Sequence, residues 1–182
     1  MGGTPEVQNA VISDDEKYRY VLVRQWDTSR PLVVFLMLNP STADGSQDDA
    51  TTRSCRAIAQ NSGFGGMLFV NLYAYRAKNP STLYMVQDPI GPDNDKSLRW
   101  VCARAEKIIV AWGNRGPSVV ANQILHVMNV LSSYWDVMYS LGTTNQGQPT
   151  HPRFIAPDVE LIPFDVREYL VSERAVLEDT SV

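Results

Sequence analysis

The sequence is poor in the residues that most often hold metals or cross-link a fold. Its 182 residues include two cysteines, Cys55 and Cys102, and two histidines, His126 and His151. Both cysteines fall within stretches of helical periodicity, where a free cysteine behaves as a small core hydrophobe, so no structural disulfide is expected. Cysteines and histidines stand at no ligand-like spacing, and a protein without metal or cofactor is expected. Nothing approaches the roughly 18 uninterrupted apolar residues that a membrane span requires, and Met1-Gly2-Gly3-Thr4-Pro5 lacks a basic segment followed by an apolar one. The expectation is a cytoplasmic protein with no membrane partner. An excess of positive charge is also missing: 16 Lys and Arg against 20 Asp and Glu give a net charge of -4. That counts mildly against nucleic acid, although Arg53, Arg76, Arg115 and Arg153 all lie near the motifs below. There is no Gly-x-Ser-x-Gly elbow for serine hydrolase chemistry.

With hydrophobic residues at 44%, a chain of this length can bury one core and is too short for two comfortable domains. A single domain over 1–182 is expected, with flexible ends at 1–16 and 178–182, and a monomer is expected. Leu32-Val33-Val34-Phe35-Leu36-Met37-Leu38 is apolar on both faces and bounded by turn formers, which suits a central strand covered on both sides. Met67 to Leu72 and Lys107 to Trp112 have the same character, and Trp135 to Leu141 is a weaker fourth run. Between them, Thr51–Ser62, Asp95–Ala105 and Pro117–Leu131 carry apolar residues at helical spacing, with Asp48 and Asp49 available to cap the first. This alternation predicts a three-layer α/β sandwich around a mostly parallel sheet of about four strands. Tyr18–Trp26 would add an antiparallel edge strand and Val166–Leu177 a final helix.

Gly, Pro and Asn cluster after the strands: at Asn39-Pro40, from Asn71 onward, at Gly113-Asn114-Arg115-Gly116-Pro117, and from Gly142 to Pro152. In open α/β sheets ligands bind outside the carboxyl ends of the strands, so these loops should converge on one cleft. The Pro40 ring holds Asn39 in an extended conformation, yet Asn-Pro-Ser-Thr is equally an ordinary turn initiator. Asn71 is a carboxamide in an apolar strand; it could pair with a flat heterocyclic edge or bond to neighbouring backbone. His151 is the only histidine outside a predicted helix and sits in a long polar loop between Pro149 and Pro152, where an electrophile or proton donor could stand. His126, mid-helix, reads as a packing or surface residue. Asp44, Asp48 and Asp49 could form an acid cluster, though solvation and capping account for most such runs. Gly113-Asn114-Arg115-Gly116 could approach phosphate but lacks the glycine spacing of a nucleotide loop.

Taken in order, Leu38-Asn39-Pro40-Ser41, Leu68-Phe69-Val70-Asn71-Leu72, Ile109-Val110-Ala111-Trp112-Gly113 and His151-Pro152-Arg153-Phe154-Ile155 resemble the motifs of the uracil-DNA glycosylase superfamily, in its Asn-Pro branches. The resemblance covers roughly residues 32 to 155. The chain is also similar to a bacterial and phage family marked by Asn-Pro-Ser-Thr-Ala-Asp and Trp-Gly. The first resemblance implies a glycosylase-like fold and a monofunctional, metal-independent DNA glycosylase that flips a pyrimidine and hydrolyses its glycosidic bond. It implies that Asn39 positions the attacking water and that His151 stabilises negative charge on the departing base. Asn71 would read the base, with Pro40 and Ser41 beside it and Tyr73 or Tyr75 in place of the stacking aromatic, which has no counterpart between Asp44 and Thr51. Arg76, Arg115, Pro152 and Arg153 would contact DNA, and Phe154 or Ile155 would fill the gap left by the flipped base. Where the uracil-specific branch has tyrosine, this chain has Ser41. The pocket should therefore admit thymine or a C5-substituted pyrimidine such as a modified cytosine of phage DNA, in repair or in phage defence. A base-binding module without catalysis, or an N-glycosidase acting on free nucleosides or nucleotides, would use the same residues.

Overall fold

The computed structural model describes residues 6–41, 43, 45–114, 118–153 and 155–179. Its strands are β1 (Val7–Ile12), β2 (Arg19–Gln25), β3 (Leu32–Met37), β4 (Gly66–Asn71), β5 (Lys107–Val110), β6 (Met138–Ser140) and β7 (Ile162–Pro163). Its helices are α1 (Ala50–Asn61), α2 (Asn94–Cys102), α3 (Ser118–Val130) and α4 (Val166–Asp179), with short 3-10 turns at Pro80–Tyr84 and Ser132–Val137.

The strands form one seven-stranded sheet in the order β1-β2-β4-β3-β5-β6-β7. The fold is mixed α/β, and the sheet is larger and less parallel than expected. Only β4, β3, β5 and β6 run parallel to one another. Strand β2 is antiparallel to β4, β1 to β2, and β7 to β6. The strand expected as the edge, β2, is therefore internal, because residues 7–12 of the supposedly flexible start pair with it over Val7 to Ile12. Strand β1 is mostly exposed, so it carries no alternation of buried and exposed side chains, which is the signal by which a strand is read from sequence. Its order comes from backbone pairing. The run expected at Trp135–Leu141 is a strand only over Met138–Ser140, the preceding residues forming a 3-10 turn.

The parallel strands are apolar on both faces because both faces are covered. Val34 and Leu36 of β3 join the core beneath α2, α3 and α4, with Leu98, Val101, Val120, Ile124, Val127 and Tyr169. Val33, Phe35 and Met37 face the other way, toward Cys55, Ile58 and Ala59 of α1. From β3 the chain passes to β4 on one side and afterwards to β5 on the other. The carboxyl ends of β3 and β5 thus flank a topological switch point, where the connections diverge to opposite faces and leave a crevice.

Candidate functional site

A cavity of about 420 Å³ lies at that switch point, walled by Leu38 and Asn39 after β3, Phe69 and Asn71 on β4, Trp112 and Gly113 after β5, and His151. A larger cavity, about 610 Å³, lies away from these loops between the turn after β1 and α2, where Tyr20 and Trp100 line it. Size does not decide between them. The first gathers convergent polar side chains, which is what orients a ligand.

Asn39 is held by backbone. Its Nδ2 donates to the carbonyls of Pro40 at 3.0 Å and Ala77 at 2.9 Å, and the Ala77 amide returns a bond to the Pro40 carbonyl at 3.0 Å. Both N–H groups of the carboxamide are thereby used. What Asn39 offers the cavity is its Oδ1, an acceptor. Pro40 itself is buried and supplies its carbonyl to this clamp, while Ser41 lines the wall, half-buried.

Asn71 is the converse case. It is 3% exposed, and its Nδ2 has no hydrogen-bond partner. A donor left unmade in the interior costs about 1–3 kcal/mol, so this residue of the cavity wall keeps a donor still to be satisfied. The strand end that carries it is tightly fixed. Asn94 Nδ2 donates to the Asn71 and Leu72 carbonyls, both at 3.1 Å, and Gln123 Nε2 donates to the Leu72 carbonyl at 2.7 Å. Two residues before Asn71 on the same face stands Phe69, which lines the cavity and stacks on Phe35 with ring centroids 5.5 Å apart. Sequence reasoning missed Phe69, Asn94 and Gln123. The period-two alternation that places Phe69 beside Asn71 was available as a signal, whereas the caps from α2 and α3 arise only from tertiary packing.

His151 reaches the cavity because position 113 is glycine. Gly113 has φ of 75°, and a Cβ there would lie 3.1 Å from His151 Cβ. Its amide donates to the Pro149 carbonyl at 2.9 Å, so the Trp-Gly and His-Pro segments are one joint. His151 Nδ1 accepts from the Arg153 amide at 3.1 Å, which places the ring proton on Nε2. Burial, and then the Arg153 charge, push the imidazole below its ordinary value, with Asp49 acting weakly in the opposite sense. The ring is a neutral N–H donor at pH 7.

Other expected residues are placed differently. Tyr73 lies in the core under α2 and α3, outside the cavity wall, and burial raises its hydroxyl to about 12. Tyr75 packs edge-on against Tyr18, also outside the wall. The aromatic against the cavity on β4 is Phe69 instead, because Tyr73 follows the end of that strand. Arg76 is turned to the Glu16 carbonyl at 3.2 Å, toward the β1–β2 turn rather than the cavity. Arg153 is exposed and lines the cavity. Pro152 is buried, and Ile155 packs half-buried against the core on the α1 side, a side chain already in use and not a free wedge. Arg115 and Phe154 lie outside the described residues, as do Thr42, Asp44, Gly116 and Pro117. Two cations that sequence reasoning passed over, Arg19 and Lys78, line the cavity.

The acidic run is divided. Asp48 pairs with Arg24 at 2.7 Å and Arg56 at 3.4 Å. Asp49 caps α1 by accepting from the Thr52 amide and hydroxyl, and also lines the cavity. His126 contacts Asp95 at 2.9 Å, on the outer side of α2 and α3. Among the described residues no group of three or more His, Cys, Asp or Glu could hold a metal ion, and no helix is long and apolar enough to cross a membrane.

Residues 19–153 match the family described as "Protein of unknown function (DUF1643)", and the chain belongs to that family. It matches no curated protein. The matched span contains every described residue of the cavity wall and leaves β1, β7 and α4 outside it.

Proposed function

We propose that this member of the family is a pyrimidine N-glycosidase acting on a base flipped out of DNA. The observation that carries the reading is Asn71, a residue of the cavity wall at the switch point whose buried Nδ2 has no partner. A carboxamide there can pair edge-on with the amide-like edge of a pyrimidine while Phe69 covers the ring face. Hydrolysis then needs an acceptor to orient water and a donor for the charge that builds on the base. Asn39 Oδ1 supplies the first and the neutral His151 Nε2–H the second. The water oxygen bonds to C1′ of the sugar, the C1′–N1 bond breaks with its electron pair going to the base, and a water proton ends on the base. Ser41 leaves room beside the ring, so a C5-substituted pyrimidine fits at least as well as uracil.

The test is a panel of oligonucleotides carrying uracil, thymine mismatches and C5-modified cytosines, read as alkali-labile breaks. Breaks are expected with at least one of them, and Asn39→Ala should abolish them while leaving the protein folded. No break with any substrate would overturn the reading.

A second reading, an N-glycosidase for free nucleosides or nucleotides, is favoured by the thin positive lining. Arg53 bonds the Asp48 carbonyl and Arg56 pairs with Glu6 and Asp48. Among the described residues the exposed cations on the cavity wall are Lys78 and Arg153. Base release from a mononucleotide, insensitive to added DNA and to salt, would select this alternative.

A further inference from the structure

We infer that Gln148 is a positioning residue for His151, and that α4, outside the span shared with the family, holds Gln148 in that role. The inference rests on the reading of His151 as the donor of the site.

Gln148 is 3% exposed, three residues before His151, and its side-chain amide is engaged both from Trp112 after β5 and from α4. Its Oε1 accepts from Trp112 Nε1 at 3.1 Å and from the Tyr169 hydroxyl at 2.7 Å. Its Nε2 donates to Glu173 Oε1 at 2.7 Å, and its backbone carbonyl accepts from the Thr144 amide at 2.8 Å. Trp112, Tyr169 and Glu173 are all buried. One amide therefore ties the residue before Gly113 to the loop that ends in His151, and ties both to α4. Gly113 in turn bonds Pro149 and leaves no room for a Cβ beside the His151 Cβ. A surface loop of ten polar and small residues would otherwise sample many conformations. Here the imidazole inherits its position from a buried network, and a buried network has few alternative arrangements once each member is satisfied. Among the described residues, the helix that completes it contributes no side chain to the cavity wall. Its bonds reach toward the site through Gln148, and its Tyr169 ring also packs on Trp112.

The experiment is a proton titration of the His151 ring by NMR in a His126→Asn background, which leaves a single histidine to observe. It needs no substrate, so it separates this inference from the glycosidase reading. Among the described residues the charged groups acting on the ring are Arg153 and Asp49, Arg19 and Lys78 share its cavity wall, and all are retained in every variant. With the network intact the midpoint should lie below 6.5. Gln148→Ala and Glu173→Leu should let water reach the ring and move the midpoint up toward 6.5. Glu173→Gln keeps an acceptor oxygen for Gln148 Nε2 and should restore the original midpoint. Tyr169→Phe removes one of the two donors to Oε1 and should give a smaller rise, which serves if the larger changes prevent folding. If the variants lose thermal stability while the His151 titration stays where it was, the network is a fastening of α4 only and the inference is overturned. If an active substrate is found, kcat should fall in Gln148→Ala with KM little changed. A change in KM alone would also overturn it.

Discussion

Asn39 and Asn71 carry the same side chain in opposite situations. In Asn39 both N–H groups are spent on backbone carbonyls and an acceptor remains; in Asn71 the donor remains unpaired. That difference comes from the carbonyls around each residue and gives two identical amides complementary work. Gly113 shows how narrow such placement is. Gly113→Ala would force a left-handed φ on a residue with a Cβ, at about 1–3 kcal/mol, and press that Cβ on His151. On the proposed glycosidase function, base release should fall more than stability does, as read by comparing activity with the urea midpoint. His151 also links the fold to pH. Its folded value is depressed below 6.5 by burial and by Arg153, so the unfolded chain binds the proton more readily. The stability associated with the neutral ring is fully present above 6.5 and is lost as pH falls through the folded value. Urea midpoints measured from pH 7.5 down to pH 5 should decline less in His151→Asn than in the unsubstituted protein.

Among the elements, the connection from β3 to α1 carries one wall of the cavity, and charge fastens it. Arg24 on β2 is 0% exposed, and its Nε meets Asp48 Oδ1 at 2.7 Å. Asp48 Oδ2 also meets Arg56 on α1, which reaches Glu6 beside β1. The cluster joins β1, β2, the loop before α1 and α1 itself. A guanidinium this deep is strongly destabilising once its carboxylate is removed. Asp48→Ala should therefore cost about 3 kcal/mol or more, seen as a lower urea midpoint, whereas Asp48→Asn keeps an acceptor and should cost less. Neither β1 nor this cluster was legible in the sequence. Val7–Ile12 has no buried face to announce it, and an arginine within a strand pattern gives no sign of whether it points to water or into the fold. The helices were read closely because each buries one stripe: the Thr51–Ser62 expectation and the observed Ala50–Asn61 differ by a residue at each end.

At the scale of the whole molecule, the two cysteines report on the integrity of both cores. Cys55 faces α1's side of the sheet and Cys102 the other side. Burial holds the Cys55 thiol well above its ordinary value and pushes Cys102 up to about 12. The thiolate is the reactive form, so both should resist a water-soluble thiol reagent at pH 8 and become labelled only as the protein opens. Fast labelling of either thiol in native buffer, counted by mass, would show that its layer of the sandwich is not closed. By itself the sequence determined the doubly covered parallel strands, the helices between them and the places where chemistry could stand, since these rest on local periodicity and on turn residues. It also held Asn39, Ser41, Asn71 and His151, which the fold brings to one cavity. Only the tertiary structure decided the mixed seven-stranded order, the substitution of Phe69 for Tyr73 on the wall, and the diversion of Arg76 to the Glu16 carbonyl. The reason is physical: a side chain's direction and its hydrogen-bond partners depend on groups distant in sequence. Asn39 needs the Ala77 carbonyl and Gln148 needs Glu173, and no local pattern records either pairing.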